Sequence, residues 1–146
     1  MNEAVLMIHL FSTLFLVGLI WTIQIVHYPL FGSIGENEYR SYQRLHTRRI
    51  AYLVAPVMLA ELISAIYLVI WPFGESGRWP FWMGFVLVIM IWVSTLFLQS
   101  PIHGRLSKGL DLRDVKLLTA TNWIRTVLWT TRGFLVLWLV WPGNGG

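Results

Sequence analysis

The chain has 146 residues, of which 56% are hydrophobic and only 12% are charged. Because soluble domains carry about a quarter charged residues, this composition argues against an ordinary soluble domain. Cysteine is absent, which excludes disulfides, thiolate metal ligands and cysteine nucleophiles. The net charge of +4 does not indicate nucleic acid, because the basic residues cluster beside apolar segments, as they do in membrane proteins.

Four apolar segments predict four transmembrane helices, since a helix needs about 20 residues to cross the hydrocarbon core. The predicted helices cover about residues 4–28, 48–71, 80–100 and 115–141. Each stops at a proline, which lacks the helical N–H and disfavours helix at the preceding residue. The sequence therefore predicts an all-α integral membrane protein, with residues 1–146 forming one antiparallel bundle of four transmembrane helices. The four prolines are Pro29, Pro72, Pro101 and Pro142.

The connections between these helices predict their orientation. Basic residues lie in or beside the connections 29–47 and 101–114, whereas the opposite side carries only Arg78. The positive-inside rule places both basic loops in the cytoplasm and both termini on the non-cytoplasmic side. We expect a multi-pass protein of a bacterial inner (plasma) membrane. The first loop either begins an amphipathic interfacial helix near Glu36 or is a solvated loop. The basic residues are Arg40, Arg44, Arg48, Arg49, Arg105, Lys108, Arg113 and Lys116.

Three of the four histidines fall near the predicted cytoplasmic ends of three helices. His27 ends the first helix, His46 precedes the second and His103 follows the third. We expect these three side chains to meet at one depth. Imidazole is a good ligand for Zn, Cu, Fe and Ni and a good proton carrier near neutral pH. The pattern is therefore compatible with a metal site, a His-bound haem or an acid–base site, and equally with interfacial histidines that cap helix ends.

Helical phase predicts a polar face in the first helix. His9 and His27 are 18 residues apart, which is five turns at about 3.6 residues per turn. Ser12, Thr13 and Gln24 lie near the same stripe. Since lipid cannot hydrogen-bond these groups, the stripe should face the interior of the bundle. The fourth helix has a similar face, which consists of Asn122, Arg125, Thr126, Trp129, Arg132 and Gly133.

Charged residues fall in the middle of two predicted helices. An unpaired charge there costs about 2.5–3.5 kcal/mol on insertion scales, so we predict a buried ion pair between Glu61 and Arg132. This pair either fixes the helix register or relays protons or anions.

Arg125 has no carboxylate at its own depth. We predict that Arg125, Gln24, Asn122 and Trp129 bind an anionic or carbonyl-bearing ligand. Backbone carbonyls or lipid phosphates are the alternative partners of this arginine.

The motif "HYPLF", the chain length and the four predicted helices together resemble a group of small bacterial membrane proteins. This group consists of four-helix proteins of unassigned function and includes the relatives of anthrone oxygenases. The resemblance implies a membrane enzyme that acts on a flat, apolar, oxygen-bearing molecule. It assigns no residue roles, because no catalytic motif matches.

Two functional hypotheses follow from the sequence. The first is a small membrane protein with a polar interior site near the cytoplasmic face, which binds a metal or a small apolar or anionic ligand. A redox or oxygenase-like membrane enzyme is one form of this hypothesis. The alternative is a non-catalytic accessory subunit of a larger membrane complex, whereas a transporter ranks last because no inverted repeat is visible. The lipid bilayer is a partner in each case, and a homo-oligomer is compatible with both hypotheses.

Overall fold

The computed structural model of the chain describes residues 2–73 and 77–141, which contain helices and no β-strand. The first helix, α1, is α-helical over Asn2–Thr22, π-helical over Ile23–His27 and α-helical again over Tyr28–Leu30. It ends in a 3-10 turn at Phe31–Ser33. The second helix, α2, runs without interruption over Glu36–Ile70.

The second half of the chain has the same kind of organisation. Helix α3 is α-helical over Trp79–Ser94, π-helical over Thr95–Gln99 and α-helical over Ser100–Leu106. Helix α4 covers Leu112–Leu139. The described residues therefore form four long helices, two of which contain a π-helical turn.

Three of these helices are long and apolar enough to cross a membrane by length and composition. They are α1 (Glu3–Ser33), α2 (Glu36–Ile70) and α3 (Trp79–Leu106). Helix α4 has a comparable length of 28 residues, but it carries Arg125 and Arg132 within its sequence.

The structure differs from the prediction at two prolines. Helix α1 continues past Pro29 and α3 continues past Pro101, although both were predicted as helix ends. In each case a π-helical turn comes just before the proline, and the Tyr28 and Ser100 N–H groups donate to carbonyls five residues back. A wider π turn leaves room for the proline ring and for the carbonyl that it cannot bond. The predicted stop at Pro142 lies outside the described residues.

The connections at this end of the structure are consequently much shorter than the predicted cytoplasmic loops, 29–47 and 101–114. Only residues 34–35 separate α1 from α2, and residues 107–111 separate α3 from α4. A helix does begin at Glu36, as one of the two alternatives predicted, but it continues directly into the second apolar segment. Glu36 and Glu38 lie in its first turn, where acidic side chains are favourable next to the helix dipole.

The short connection between α3 and α4 is held by polar contacts. Asp111 caps α4 by accepting a hydrogen bond from the Arg113 N–H at 2.7 Å. Asp114 accepts two hydrogen bonds from Arg105, from Nε at 2.8 Å and from Nη2 at 2.6 Å. These hydrogen bonds lower the pKa of Asp114 below its ordinary value. The pair therefore ties the end of α3 to the start of α4.

Each helix packs against two others. Helix α1 contacts α2 and α4, and α3 contacts the same two helices from the opposite side. The interior between them contains an apolar core together with buried charges: Arg132 is 0% exposed and Glu61 is 1% exposed. Along the apolar segments the outer surface consists of large exposed hydrophobic side chains, and Phe97 for example is 73% exposed. This distribution is the reverse of that in a soluble protein and is compatible with contact with lipid.

Candidate functional site

The Glu61 carboxylate lies at the centre of a fully buried polar group of residues. Arg132 Nε donates to Glu61 Oε1 at 2.9 Å, and Thr13 Oγ1 donates to the same oxygen at 3.0 Å. Trp129 Nε1 donates to Glu61 Oε2 at 3.1 Å. The remaining guanidinium nitrogens of Arg132 reach the Gly84 carbonyl oxygen and neighbouring side chains. The two charges that the sequence predicts as a pair are therefore in contact, and their polar atoms are well satisfied.

His9 completes this group, which we call the central cluster (His9, Thr13, Glu61, Trp129 and Arg132). Its Nδ1 lies 2.8 Å from Ser64 Oγ, and Arg132 Nη2 donates to its Nε2 at 3.3 Å. Because the Ser64 hydroxyl donates to backbone carbonyls of α2, Nδ1 carries the proton of a neutral imidazole. His9 therefore joins α1 to α2 and to the charged pair.

The three other histidines lie close together, near the end of α1 that is remote from His9. His27 Nε2 lies 2.9 Å from His46 Nδ1, and the ring centroids of His46 and His103 are 5.9 Å apart. Gln43 Nε2 donates to His103 Nδ1 at 2.9 Å, and Tyr28 Oη lies 3.0 Å from His103 Nε2. Since Nδ1 accepts, the Nε2 atom of His103 carries the proton and donates to Tyr28.

This arrangement is a set of hydrogen-bonded rings. Both nitrogens of His103 are engaged with Tyr28 and Gln43, and the facing nitrogens of the other two rings bond to each other. Within residues 2–73 and 77–141, no group of three or more His, Asp or Glu side chains is placed to hold a metal ion. The structure thus brings together His27, His46 and His103, while their predicted role as metal ligands stays a prediction.

The residues predicted to bind a ligand divide into two groups. Asn122 Nδ2 donates to Gln24 Oε1 at 2.8 Å, and Gln24 Nε2 donates to the Thr119 carbonyl at 3.1 Å. Asn122 Oδ1 in turn accepts from Arg125 Nε at 3.0 Å. Gln24 and Asn122 are therefore occupied in positioning Arg125. By contrast, Arg125 and Trp129 line a cavity.

This cavity has a volume of about 230 Å³ and lies between the four helices. Most of its wall is apolar, with contributions from α1 and α2 that include Leu16, Ile20, Val54 and Met58. Its polar lining residues include Tyr28, Thr95, Gln99, His103 and Arg125. An apolar pocket with a few converging polar groups is the usual form of a small-molecule site.

Arg125 is the principal charge on the wall of the cavity. It is 6% exposed, and no carboxylate within the described part of the chain forms an ion pair with it. Its contacts to Thr95 Oγ1 and Tyr28 Oη are long, at 3.4 Å each. Its guanidinium carbon lies 5.9 Å from the ring centroid of Trp129, within cation–π range. A buried positive charge next to a cavity favours an anionic or carbonyl oxygen in that cavity.

The sequence did not predict the roles of two site residues. Tyr28, the second residue of the motif "HYPLF", bridges His103 and Arg125. Gln43 is fully buried, although it falls in the segment predicted as either an interfacial helix or a solvated loop. Joining the helical alternative to the second apolar segment would have placed Gln43 beside His46 on the interior face.

Comparison with known proteins assigns no relatives. No family model matches the chain, and neither a curated protein nor a solved structure is significantly similar to it.

Proposed function

We propose that the chain is a multi-pass protein of the plasma membrane that binds a small apolar molecule in its cavity through an anionic or carbonyl oxygen. In this proposal all four helices cross the bilayer, and the ends that carry Arg44 and Arg105 face the cytoplasm. The cavity then opens near the cytoplasmic half of the membrane.

Contacts between the helices support an antiparallel arrangement. His9, near the start of α1, contacts Ser64 near the end of α2, whereas His27, near the end of α1, contacts His46 near the start of α2. Helix α4 supports a fourth crossing, because its charged residues Arg125 and Arg132 face the protein interior. Its outward side chains are largely apolar, as a surface against lipid requires.

The observation that carries the binding proposal is the unbalanced charge of Arg125. In a low-dielectric interior such a charge is unfavourable unless an opposite charge or a strong acceptor lies beside it. Asn122 and Gln24 hold the guanidinium in place, and the open side of the group borders the cavity. A ligand oxygen at this point completes the set of hydrogen bonds while the rest of the ligand fills the apolar space.

Tyr28 and His103 add a second function to the polar end of the cavity. His103 donates from Nε2 to Tyr28 Oη, and both residues line the cavity. The hydroxyl proton of Tyr28 is then free to reach the same ligand oxygen. This pair orients the ligand and offers a route for a proton, which is the feature that a redox or oxygenase-like enzyme would need. The accessory-subunit alternative stays a prediction.

Binding of two simple probes to the purified protein in lipid nanodiscs tests the proposal. The probes are a ring-alkylated benzoate anion and an alkyl phenyl ketone, which present a charged and a neutral oxygen on a similar apolar body. Arg125→Gln should raise the Kd of the benzoate about 10- to 100-fold, because charge-assisted hydrogen bonds contribute about 1.5–3 kcal/mol. Equilibrium dialysis measures the Kd.

Matched variants define the outcome. Arg125→Lys keeps the charge but loses the forked geometry, so it should retain part of the affinity. Arg44→Gln removes an exposed arginine of α2 and should leave the Kd unchanged. Equal affinity of the wild type and Arg125→Gln for both probes would refute the proposal.

A further inference from the structure

Two hydrogen-bond donors in the wall of the cavity have no acceptor among the described residues. They are Trp92 Nε1 and Gln99 Nε2, and both atoms are buried. Ser94 Oγ donates to Gln99 Oε1 at 3.1 Å, and in this amide orientation the NH₂ group is the unpaired end. Because buried donors are nearly always paired in folded proteins, these two indicate acceptors that come from outside the chain.

The two donors lie at different levels of the cavity. Trp92 and Gln99 are seven residues apart on α3, which corresponds to about 10 Å along a helix. Trp92 packs against the apolar cluster that contains Met58 and Trp129, whereas Gln99 lies beyond Thr95, which contacts Arg125. A ligand that satisfies both donors must therefore carry acceptors at two ends, separated by an apolar body.

The cavity opens between α2 and α3. Ala51 and Ala55 of α2 and Ser100 of α3 line the cavity and are also exposed on the outside of the bundle. Large exposed apolar side chains lie about one helical turn from Ala55 and Ser100, and they include Leu59 and Phe97, which are 47% and 73% exposed. In the proposed topology this surface faces lipid. A ligand can thus enter from the bilayer, and an apolar tail can remain in the bilayer while the polar ring is inside.

We infer that the cavity takes the ring of a lipid-soluble para-quinone, one carbonyl accepting from Trp92 and the other from Arg125 and Gln99, with its tail leaving between α2 and α3. This inference rests on the proposed function and adds the identity of the ligand class. The cavity of about 230 Å³ exceeds the roughly 150 Å³ that holds benzene in an engineered apolar cavity. It therefore has room for one substituted ring.

The test compares an alkyl benzoquinone with the alkyl phenyl ketone, which has the same tail and only one carbonyl. Trp92→Phe removes the N–H group and keeps an aromatic ring. It should raise the Kd of the quinone about three- to tenfold, as expected for loss of one neutral hydrogen bond, and leave the Kd of the ketone unchanged. Trp82→Phe, at an exposed tryptophan away from the cavity, is the control and should change neither value.

Ala55→Phe tests the route of access. A larger side chain at the opening should slow association of the quinone, measured by stopped-flow fluorescence. Leu137→Phe enlarges an exposed leucine of α4 that does not line the cavity, and it should leave the association rate unchanged. Equal rates for the wild type and both variants would overturn the route between α2 and α3.

The outcomes for the ligand and for the proposed function are separate. If Arg125→Gln weakens benzoate binding but Trp92→Phe affects quinone and ketone equally, the quinone inference is wrong and the proposed function stands. If Arg125→Gln changes the affinity for no probe, both are wrong. Should Trp92→Phe fail to fold, the wild-type protein still gives the comparison: it should bind the quinone about three- to tenfold more tightly than the ketone, and equal affinities would overturn the quinone inference.

Discussion

Two buried arginines on the same face of α4 have very different surroundings. Arg132 contacts Glu61 at 2.9 Å and belongs to a cluster in which each charge has an opposite charge or several hydrogen bonds. Arg125 is seven residues away and has no carboxylate partner among the described residues. It donates to Asn122 and makes two long hydrogen bonds to hydroxyl oxygens. One arginine is part of a closed network, and the other borders an open cavity.

The difference indicates which of the two polar regions is structural and which is suited to binding. In the central cluster the Glu61 carboxylate accepts from Arg132, Thr13 and Trp129, so a ligand would have to displace an existing partner. Around the cavity, the Gln99 and Trp92 side chains have N–H donors without an acceptor among the described residues, and Arg125 has no carboxylate partner there. Unused donors stabilise nothing in the free protein and contribute only when a ligand supplies acceptors.

The largest expected effect tests the closed network. Glu61→Gln and Arg132→Met should each lower the free energy of unfolding by about 3–5 kcal/mol, because each leaves a buried charge without its partner. The double variant should lose less than the sum of the two. Unfolding in mixed micelles measures these values.

A solvent-accessible pair provides the control for this double-mutant cycle. Asp114→Asn disrupts the contact with Arg105 at the end of α3 and should change stability little, as exposed ion pairs do. Strict additivity of the Glu61 and Arg132 effects would show that the two charges do not stabilise each other.

Two tryptophans test the same comparison through a smaller expected change in stability. Trp129→Phe removes the donor to Glu61 Oε2 and should destabilise the protein by about 1.5–3 kcal/mol, the usual range for a hydrogen bond to a charged group. Trp92→Phe removes an N–H group that has no acceptor, so thermal unfolding should show almost no loss. Equal losses in the two variants would mean that Trp92 has a structural partner.

Helical phase and the cost of buried charge were sufficient to predict the pair of charges in the central cluster, but not the contact between Trp129 and Glu61. An isolated charge in the hydrocarbon core is unfavourable, and Glu61 and Arg132 lie near the middle of two predicted helices. Their contact follows from these two facts alone. The phase of His9, Ser12 and Thr13 in α1 likewise predicts their burial, which the structure has.

The π-helical turns explain why the sequence did not predict the burial of Tyr28 and the partial exposure of His27. A π turn contains an additional residue, so it rotates all later side chains of the helix relative to the earlier ones. In α1 the interior stripe that begins at His9 therefore passes to Tyr28, which is 3% exposed, whereas His27 is only half-buried. No periodic pattern reveals this shift, and the cavity depends on packing between helices, which a single sequence does not show.

The smallest expected effect on stability is at Arg125 itself. Arg125→Met removes an unbalanced buried charge, which favours folding, but it leaves Asn122 Oδ1 without its donor, which opposes folding. These two effects should nearly cancel and leave the free energy of unfolding within about 1 kcal/mol of the wild type. The same variant should bind the benzoate probe far more weakly. If Arg125→Met instead unfolds as readily as Arg132→Met, Arg125 is a structural residue like Arg132, and the distinction between the closed and the open region is lost.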